Sequence, residues 1–124
     1  MSQGHILFAD DDLDTRVMVE KYLQHAGFNV SLATTSQEVL DLVAEDDNLF
    51  DAVVLDNWMP ETTGIETCKL IRVIDQTTPI FFCSGAARPS EIDEATEAGA
   101  QGYLTKPFDP EELVQALQAV LKKS

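Results

Sequence analysis

Four aspartates lie close together near the start of the chain, directly after the apolar run Ile6-Leu7-Phe8-Ala9. They are Asp10, Asp11, Asp12 and Asp14. Carboxylates this close repel one another, and the repulsion grows where an apolar surface lowers the local dielectric constant. The pattern leaves two explanations. Either the acids are the solvated start of a helix, where the macrodipole favours negative charge, or they are the ligands of a cation.

Other polar residues also follow directly after apolar segments. Asp56 follows Ala52–Leu55, Ser84 follows Ile80–Cys83, and Thr105 and Lys106 follow Gly102–Leu104. Each one alone has an ordinary explanation as a turn residue, a local backbone contact or part of a loop. Together with Asp10 and Asp11, the residues Asp56, Ser84 and Lys106 supply three acids, a hydroxyl and an amine. Mg²⁺ uses one or two carboxylates plus phosphate oxygens, and a carboxylate beside the metal and a lysine can act as a nucleophile.

Short apolar segments alternate with helical periods, which predicts one α/β domain over residues 1–124. The predicted strands are His5–Ala9, Phe28–Ala33, Ala52–Leu55, Ile80–Cys83 and Gly102–Leu104. The first, third and fourth are almost continuously apolar, as in strands covered on both faces, whereas the second alternates and suits a sheet edge. Ligands of such sheets bind beyond the carboxyl ends of the strands. The polar residues named above should therefore meet at one edge of the sheet.

Helix signals fill the gaps between the predicted strands. In chain order they are the stripe Val19, Tyr22, Leu23 and Ala26 ending at Gly27, the capping box Thr35 and Glu38, the stripe Ile65, Cys68 and Ile71, the opening residues Ser90 and Asp93, and the start formed by Asp109, Pro110 and Glu112. The fifth helix has a complete apolar stripe. The fourth offers only Ile92, Ala95 and Ala98 for packing, so we expect it to open at the lowest free energy.

Composition excludes several classes of partner. The chain has 22 acidic and 8 basic residues and a net charge of −14, which argues against direct binding of nucleic acid or of an anionic membrane. Its apolar runs are too short for a membrane-spanning helix, and the start Met-Ser-Gln-Gly lacks an export signal. Cys68 and Cys83 lie in apolar segments, as buried free thiols of a reducing compartment do. We expect a cytoplasmic protein.

The chain resembles the receiver domain of two-component response regulators over essentially all of its length. The resemblance rests on Asp10-Asp11, on Asp56 before Met59-Pro60, on Ser84-Gly85, and on Lys106-Pro107-Phe108. It implies a doubly wound, flavodoxin-like sheet of five parallel strands in the order 2-1-3-4-5 with five helices. It also implies a signalling switch that accepts a phosphoryl group from a sensor histidine kinase or a histidine phosphotransfer protein. Such a domain catalyses only its own phosphorylation and dephosphorylation, and it acts on a downstream protein target.

The resemblance also implies the metal site. Asp11 would bind Mg²⁺ directly and Asp10 directly or through water. Asp56 would be both a metal ligand and the phosphoacceptor, and Trp58 would offer its backbone carbonyl to the metal.

The remaining matching positions imply how the switch works. Lys106 would pair with the phosphoryl group, and Ser84 would turn towards it. Tyr103 would change its rotamer on the output face, which is formed by helix 4, strand 5 and helix 5. Asp12 and Asp14 would serve only as charges at a helix start.

Three alternatives differ in function. A phosphatase of the haloacid-dehalogenase type has a motif that Asp12-Leu13-Asp14-Thr15 loosely matches, but Asp12 is not at the strand end, and 124 residues leave little for a core plus a cap. A flavodoxin-like cofactor binder needs a first loop rich in hydroxyls and glycine, where aspartates would repel phosphate. Within the resembling family, a stand-alone regulator or phosphorelay carrier and a receiver excised from a hybrid kinase or a longer transcription regulator both remain open.

Overall fold

Five parallel strands form the central sheet of the computed structural model, which describes residues 4–45, 50–59, 62–85, 88–106 and 108–121 and, at Trp58, the backbone alone. The strands are β1 (Gly4–Ala9), β2 (Phe28–Ala33), β3 (Ala52–Leu55), β4 (Ile80–Ser84) and β5 (Gly102–Thr105). Their order in the sheet is β2-β1-β3-β4-β5, and every neighbouring pair is parallel. The predicted sheet is therefore confirmed, including the position of the alternating strand β2 at an edge.

Five helices cover the two faces of the sheet. They are α1 (Leu13–His25), α2 (Ser36–Glu45), α3 (Gly64–Ile74), α4 (Pro89–Glu97) and α5 (Pro110–Leu121). One buried cluster joins the sheet to α1 and α5, and a second cluster joins it to α2, α3 and α4. Residues Ile6 to Ala9 of β1 alternate between the two clusters, so this part of the strand is apolar on both faces because both faces are covered. None of the described helices combines the length and the apolar character needed to cross a bilayer.

Helix starts follow the predicted caps closely but not completely. At α5 the Asp109 amide donates to Glu112 Oε1 at 3.3 Å, and the Glu111 amide donates to Asp109 Oδ1 at 3.0 Å, which confirms the cap. At α2 the Glu38 amide donates to Thr35 Oγ1 at 3.2 Å as predicted. The Glu38 carboxylate, however, accepts from the Thr34 amide at 3.0 Å, one residue earlier than a capping box places it.

Three details differ from the sequence-based expectations. Helix α4 begins at Pro89 with Arg88 as its N-cap, because proline is preorganised for the first helical position. Tyr22 is 46% exposed, since the buried stripe of α1 is narrow and contains only Val19 and Leu23. A short antiparallel pair, Trp58–Met59 with Thr62–Thr63, was not predicted, because segments of two residues carry no periodic signal.

The turn between α3 and β4 is organised by one carboxylate. Asp75 Oδ1 accepts hydrogen bonds from the backbone amides of Thr77 and Thr78 at 2.9 and 3.0 Å, and the Thr78 hydroxyl donates to Oδ2. Burial acts to raise the pKa of Asp75, but the hydrogen bonds from Thr78 and Thr77 outweigh it, so the pKa lies below its ordinary value of 3.8. The ionised carboxylate thus stabilises the folded chain.

Replacement of this carboxylate gives a pH-dependent test of the turn. Because the pKa is depressed in the folded state, the stabilisation is present above about pH 4 and is lost as the pH falls through the folded pKa. We expect Asp75→Asn to lower the free energy of unfolding by about 1 kcal/mol at pH 7. Urea unfolding at pH 7 and at pH 3 measures the difference, which should shrink at the lower pH.

The exposed Asp93 provides a matched control. Asp93→Asn should change the stability less than Asp75→Asn at pH 7. A loss in Asp75→Asn that is equally large at both pH values would show that the charge of Asp75 does not stabilise the turn.

Candidate functional site

Polar residues that follow β1, β3 and β5 meet at the carboxyl edge of the sheet. The backbone amide of each still pairs with the last residue of a neighbouring strand: Asp10 with Ala33 O at 3.1 Å, Asp56 with Ala9 O at 3.0 Å, and Lys106 with Ser84 O at 2.8 Å. The sheet ladder thus fixes the backbone of all three residues. The three residues are distant in the sequence, yet their side chains meet at this edge of the sheet.

The centre of the site is an ion-paired lysine. Lys106 Nζ lies 2.5 Å from Asp10 Oδ2 and 3.2 Å from Asp56 Oδ2. Asp10 is fully buried and Asp56 is 6% exposed, so the two carboxylates have little water to screen their charges. Burial acts to lower the pKa of Lys106, but the hydrogen bond to Asp10 and the charge of Asp56 outweigh it, and the pKa of Lys106 is raised. The lysine therefore stays charged at neutral pH.

A third carboxylate completes an oxygen-rich cluster. Asp10, Asp11 and Asp56 each present a carboxylate oxygen within 4.8 Å of the others. Asp11 is exposed, whereas the other two are buried. Three carboxylates with hard oxygen donors fit a divalent cation such as Mg²⁺, and the exposed Asp11 gives such an ion a ligand on the solvent side.

The loop after β1 is fixed by local contacts. The Asp12 amide donates to Asp10 Oδ1 at 2.9 Å, and Arg16 Nη1 donates to the Asp10 carbonyl oxygen at 2.8 Å. Asp12 is the N-cap of α1 and accepts from the Thr15 amide at 3.0 Å. The role of Asp12 as a helix-start residue is confirmed. Its carboxylate caps a helix and is exposed, which does not suit the nucleophile of the phosphatase alternative.

The segment after Asp56 is held by α3. Asn57 Oδ1 accepts from the Ile65 amide at 3.2 Å, and the Asn57 carbonyl accepts from the Gly64 amide at 2.9 Å. A Cβ added to Gly64 would lie 2.7 Å from the Asp56 carbonyl oxygen. Only glycine permits this approach of the α3 start to the end of β3, so Gly64 and Asn57 together set the position of Asp56.

Ser84 ends β4, and Tyr103 lies on the neighbouring strand β5, opposite Phe82. Ser84 Oγ is buried and makes no hydrogen bond of ordinary geometry to the residues that the structure describes. The Tyr103 ring stacks on Phe82, with ring centroids 5.6 Å apart. Burial raises the pKa of the Tyr103 hydroxyl, the nearby Ser84 hydroxyl opposes the rise, and the charges of Glu91 and Asp56 add to it.

The thiol of Cys83 lies next to the charged cluster but is chemically quiet. Burial raises its pKa to about 12; the charge of Lys106 opposes this rise, and those of Asp10 and Asp56 add to it. A thiol this hard to deprotonate is a poor nucleophile and a poor metal ligand. Cys83 and Cys68 are both buried and free, as the sequence predicted.

The site is open on the side of α1. A cavity of about 370 Å³ next to Lys106 is lined by Thr15, Met18, Lys106 and Phe108. Met18 belongs to a row of exposed apolar residues on α1, namely Leu13, Val17, Met18 and Tyr22. A reacting group on another molecule therefore has an approach to the site over α1.

The structure brings together most of the residues that the sequence selected. Asp10, Asp11, Asp56 and Lys106 form one cluster, and Ser84 lies on the neighbouring strand of the same sheet edge. Thr105 ends β5 and is exposed. Trp58 starts the short antiparallel pair, two residues after Asp56. Of the other matched positions, Pro60 and Pro107 lie outside the described residues.

Sequence reasoning missed three residues that position the site. Arg16 fixes the loop after β1, and Gly64 and Asn57 fix the segment after β3. A weak signal existed for Gly64, since a glycine at the start of a helix is an unfavourable choice that indicates close packing. No signal existed for Arg16, because an exposed arginine on a helix and one that reaches a loop carbonyl have the same local pattern.

The sequence comparisons give one consistent result. Residues 6–118 match the family model of the response regulator receiver domain. The chain is 39% identical over 119 residues to the response regulator MprA of Mycolicibacterium vanbaalenii, covering 96% of this chain and 51% of that protein. It is also 39% identical over 121 residues to the transcriptional regulatory protein CpxR of Escherichia coli, covering 96% of this chain and 50% of that protein. The chain thus spans about half the length of these relatives.

Solved structures agree with this result. The chemotaxis protein CheY4 of Vibrio cholerae superposes with a TM-score of 0.87 at 35% identity, covering 97% of this chain and 98% of that one. The receiver domain of the Francisella response regulator 1452 superposes with a TM-score of 0.90 at 28% identity, covering 97% of this chain and 98% of that one. From the sheet, the carboxylate and lysine cluster and these matches, we conclude that the chain belongs to the receiver domain family of two-component response regulators.

Proposed function

We propose that Asp56 is the phosphoacceptor of a Mg²⁺-dependent switch. The observation that carries this proposal is the cluster in which Lys106 Nζ lies 3.2 Å from Asp56 Oδ2, with Asp10 and Asp11 beside it. Asp56 is the carboxylate that Lys106 contacts at the end of the central strand β3, between the acids on one side and Ser84 on the other. It is therefore the carboxylate best surrounded by groups that can stabilise a phosphoryl group.

The reaction transfers one phosphoryl group between two side chains. A carboxylate oxygen of Asp56 attacks the phosphorus of a phosphohistidine, the bond between nitrogen and phosphorus breaks, and the bonding electrons return to the imidazole. The product is an aspartyl phosphate. The ammonium group of Lys106 then lies within reach of the new phosphoryl oxygens, and the Ser84 hydroxyl can donate to another after a rotation of its side chain. The donor is a sensor histidine kinase or a histidine phosphotransfer protein that approaches over α1.

The metal in this proposal is Mg²⁺. Asp11 and Asp56 would hold it, and the carbonyl of Trp58 is a third candidate ligand. Both oxygens of Asp10 already accept hydrogen bonds, from the Asp12 amide and from Lys106, so Asp10 is better suited to contact the ion through water. When bound, Mg²⁺ neutralises part of the charge that otherwise opposes the approach of a phosphoryl group.

The output of the switch would be the face formed by α4, β5 and α5. Ser84 ends the strand that leads to α4, and Tyr103 lies on β5 beside it. Movement of Ser84 towards a phosphoryl group would change the contacts of Tyr103 and then the position of α4. The coupling free energy between two such sites, here Asp56 and the surface of α4, is usually about 1–3 kcal/mol. The target is another protein surface or a further domain of a longer regulator, of the kind that the transcriptional regulator CpxR represents.

Mg²⁺ should stabilise the folded chain because it relieves repulsion among three clustered carboxylates. At a free concentration ten times the dissociation constant, the free energy of unfolding should rise by about 1.4 kcal/mol. Asp11→Asn should lose most of this gain, whereas Asp14→Asn, which alters an exposed acid of the first turn of α1, should keep it. Thermal unfolding at increasing Mg²⁺ measures the effect. A melting temperature that is unchanged in the intact chain across millimolar Mg²⁺ would refute the metal site.

Lys106 should compete with the metal for the same carboxylates. Without Mg²⁺, Lys106→Ala should lower the free energy of unfolding by about 2 kcal/mol, since it leaves Asp10 and Asp56 without their counterion. The rise in stability on adding Mg²⁺ should then be larger than in the intact chain. Urea unfolding with and without Mg²⁺ measures both quantities. Lys69→Ala is the control, because Lys69 is exposed and pairs with Glu66 only at 4.0 Å. A smaller Mg²⁺ response in Lys106→Ala would contradict this role.

The phosphoacceptor can be identified with a small acyl-phosphate donor. In the presence of Mg²⁺ the chain should gain one phosphoryl group that hydroxylamine removes, as an acyl phosphate requires. Asp56→Asn should abolish the modification, and Ser84→Ala should retain it. Intact-mass measurement before and after hydroxylamine provides the readout. If the phosphoryl group persists in Asp56→Asn or maps to Ser84, the proposed chemistry is wrong.

A further inference from the structure

The two ends of α4 are held by very different contacts. At its carboxyl end, side chains of α3 donate to the carbonyl oxygens of the two residues that follow the helix. Arg72 Nη2 and Nε donate to the Gly99 carbonyl oxygen at 2.8 and 3.3 Å, and Cys68 Sγ donates to the Ala98 carbonyl oxygen at 3.4 Å. Ala98 is the C-cap of α4, so the Cys68 thiol satisfies a carbonyl that the helix leaves without a partner, and Arg72 binds the carbonyl of the next residue.

Arg72 also ties this end of α4 to the sheet. Its Nη2 lies 3.2 Å from Gln101 Oε1, and the same oxygen accepts from the Ile80 amide at 2.7 Å at the start of β4. Gly99 has a φ of +112°, and a Cβ added there would lie 2.7 Å from Arg72 Nε. The backbone and the guanidinium group therefore fit against each other with no room between them.

The charge of Arg72 suits the place where it binds. Helix α4 has no basic residue in its last turn, so its own sequence does nothing to offset the partial negative charge of its carboxyl end. Arg72 supplies that charge from α3. Hydrogen bonds from a charged donor are also stronger than those between neutral groups.

The amino end of α4 lacks comparable support. Its N-cap residue, Arg88, makes no side-chain capping bond. The Arg88 side chain is 83% exposed and lies 3.8 Å from Glu91, whose side chain is 16% exposed, and an ion pair with one partner in water contributes little. Within α4, all of whose residues are described, only Ala95 is buried, and it lies in the second half of the helix. The first turn therefore depends mainly on its backbone hydrogen bonds.

The weakly held end is also the end nearest the switch residues. Ser84 ends β4, and the chain reaches Pro89 after a short connection. Glu91, in the first turn of α4, is close enough to Tyr103 for its charge to act on the tyrosine hydroxyl. A change at Ser84 and Tyr103 therefore meets the unsupported end of α4 first.

We propose that Arg72 is a positioning residue that fixes the carboxyl end of α4, so that the response to phosphorylation is confined to the first turns of the helix. This proposal rests on the proposed function of Asp56. The helix would pivot about Gly99 rather than shift as a whole. The surface that a partner senses would then be residues 88–93 together with Tyr103, and the second half of α4 would present the same surface in both states.

Residue-resolved amide exchange with and without a phosphoryl mimic tests the proposal. The probe is beryllofluoride with Mg²⁺, added to the full chain. In the intact chain the mimic should change exchange at residues 88–93 and leave residues 94–99 unchanged. In Arg72→Ala without the mimic, exchange at residues 94–99 should rise by roughly tenfold, since hydrogen bonds from a charged group are lost. The mimic should then change exchange along the entire helix.

Two further variants separate position from charge. Arg72→Lys keeps the charge but cannot reproduce the forked contact with Gly99 and Gln101, so it should restore only part of the protection. Lys69→Ala removes an exposed cation from the same helix and should behave as the intact chain does. If Arg72→Ala does not fold, Arg72→Lys and the intact chain still provide the comparison of the two halves of α4.

The outcomes distinguish this proposal from the one on which it rests. A mimic that changes residues 94–99 as much as residues 88–93 in the intact chain would overturn the pivot. Unchanged exchange at residues 94–99 in Arg72→Ala would overturn the role of Arg72. Failure of the mimic to alter exchange around Asp56 would instead count against the proposed function. The comparison of the variants without the mimic would still decide whether Arg72 holds the carboxyl end of α4.

Discussion

The ammonium group of Lys106 between two buried carboxylates is the interaction on which the site depends. Asp10 and Asp56 come from different strands, and each is almost inaccessible to water. Without a cation their repulsion in a medium of low dielectric constant would be costly, and the chain as a whole already has a net charge of −14. The lysine supplies that cation and makes the arrangement stable. The same interaction therefore stabilises the folded chain and, in the proposed function, would supply the positive charge that contacts a phosphoryl group.

The parallel sheet explains why residues so distant in the sequence meet. The carboxyl ends of all five strands lie at one edge, and the first residue after a strand still belongs to the hydrogen-bond ladder of its neighbour. This geometry is what made Asp10, Asp56, Ser84 and Lys106 predictable from the sequence. Lys106 and Asp10 are separated by 96 positions, yet strand boundaries alone indicated that they would lie at the same edge of the sheet.

Other features depend on packing that local patterns do not encode. Asp10 is buried, whereas the next residue, Asp11, is exposed. The direction of each side chain is set by the contact of Arg16 with this loop and by the cap that Asp12 forms. The close approach of Gly64 to Asp56 depends on how α3 meets β3. The exposure of Tyr22 depends on the width of the surface that α1 presents to the sheet. Sequence patterns thus located the site, whereas its internal geometry arises from contacts between elements.

The burial of both native cysteines makes the chain convenient for site-specific labelling. The thiol of Cys83 has a pKa of about 12, and burial also raises the pKa of Cys68. Alkylating reagents such as maleimides react with thiolates, so neither residue competes with a thiol on the surface. A cysteine introduced at an exposed position would therefore take up a fluorophore or a spin label selectively, without removal of the native pair and without a change in the core that they help to fill.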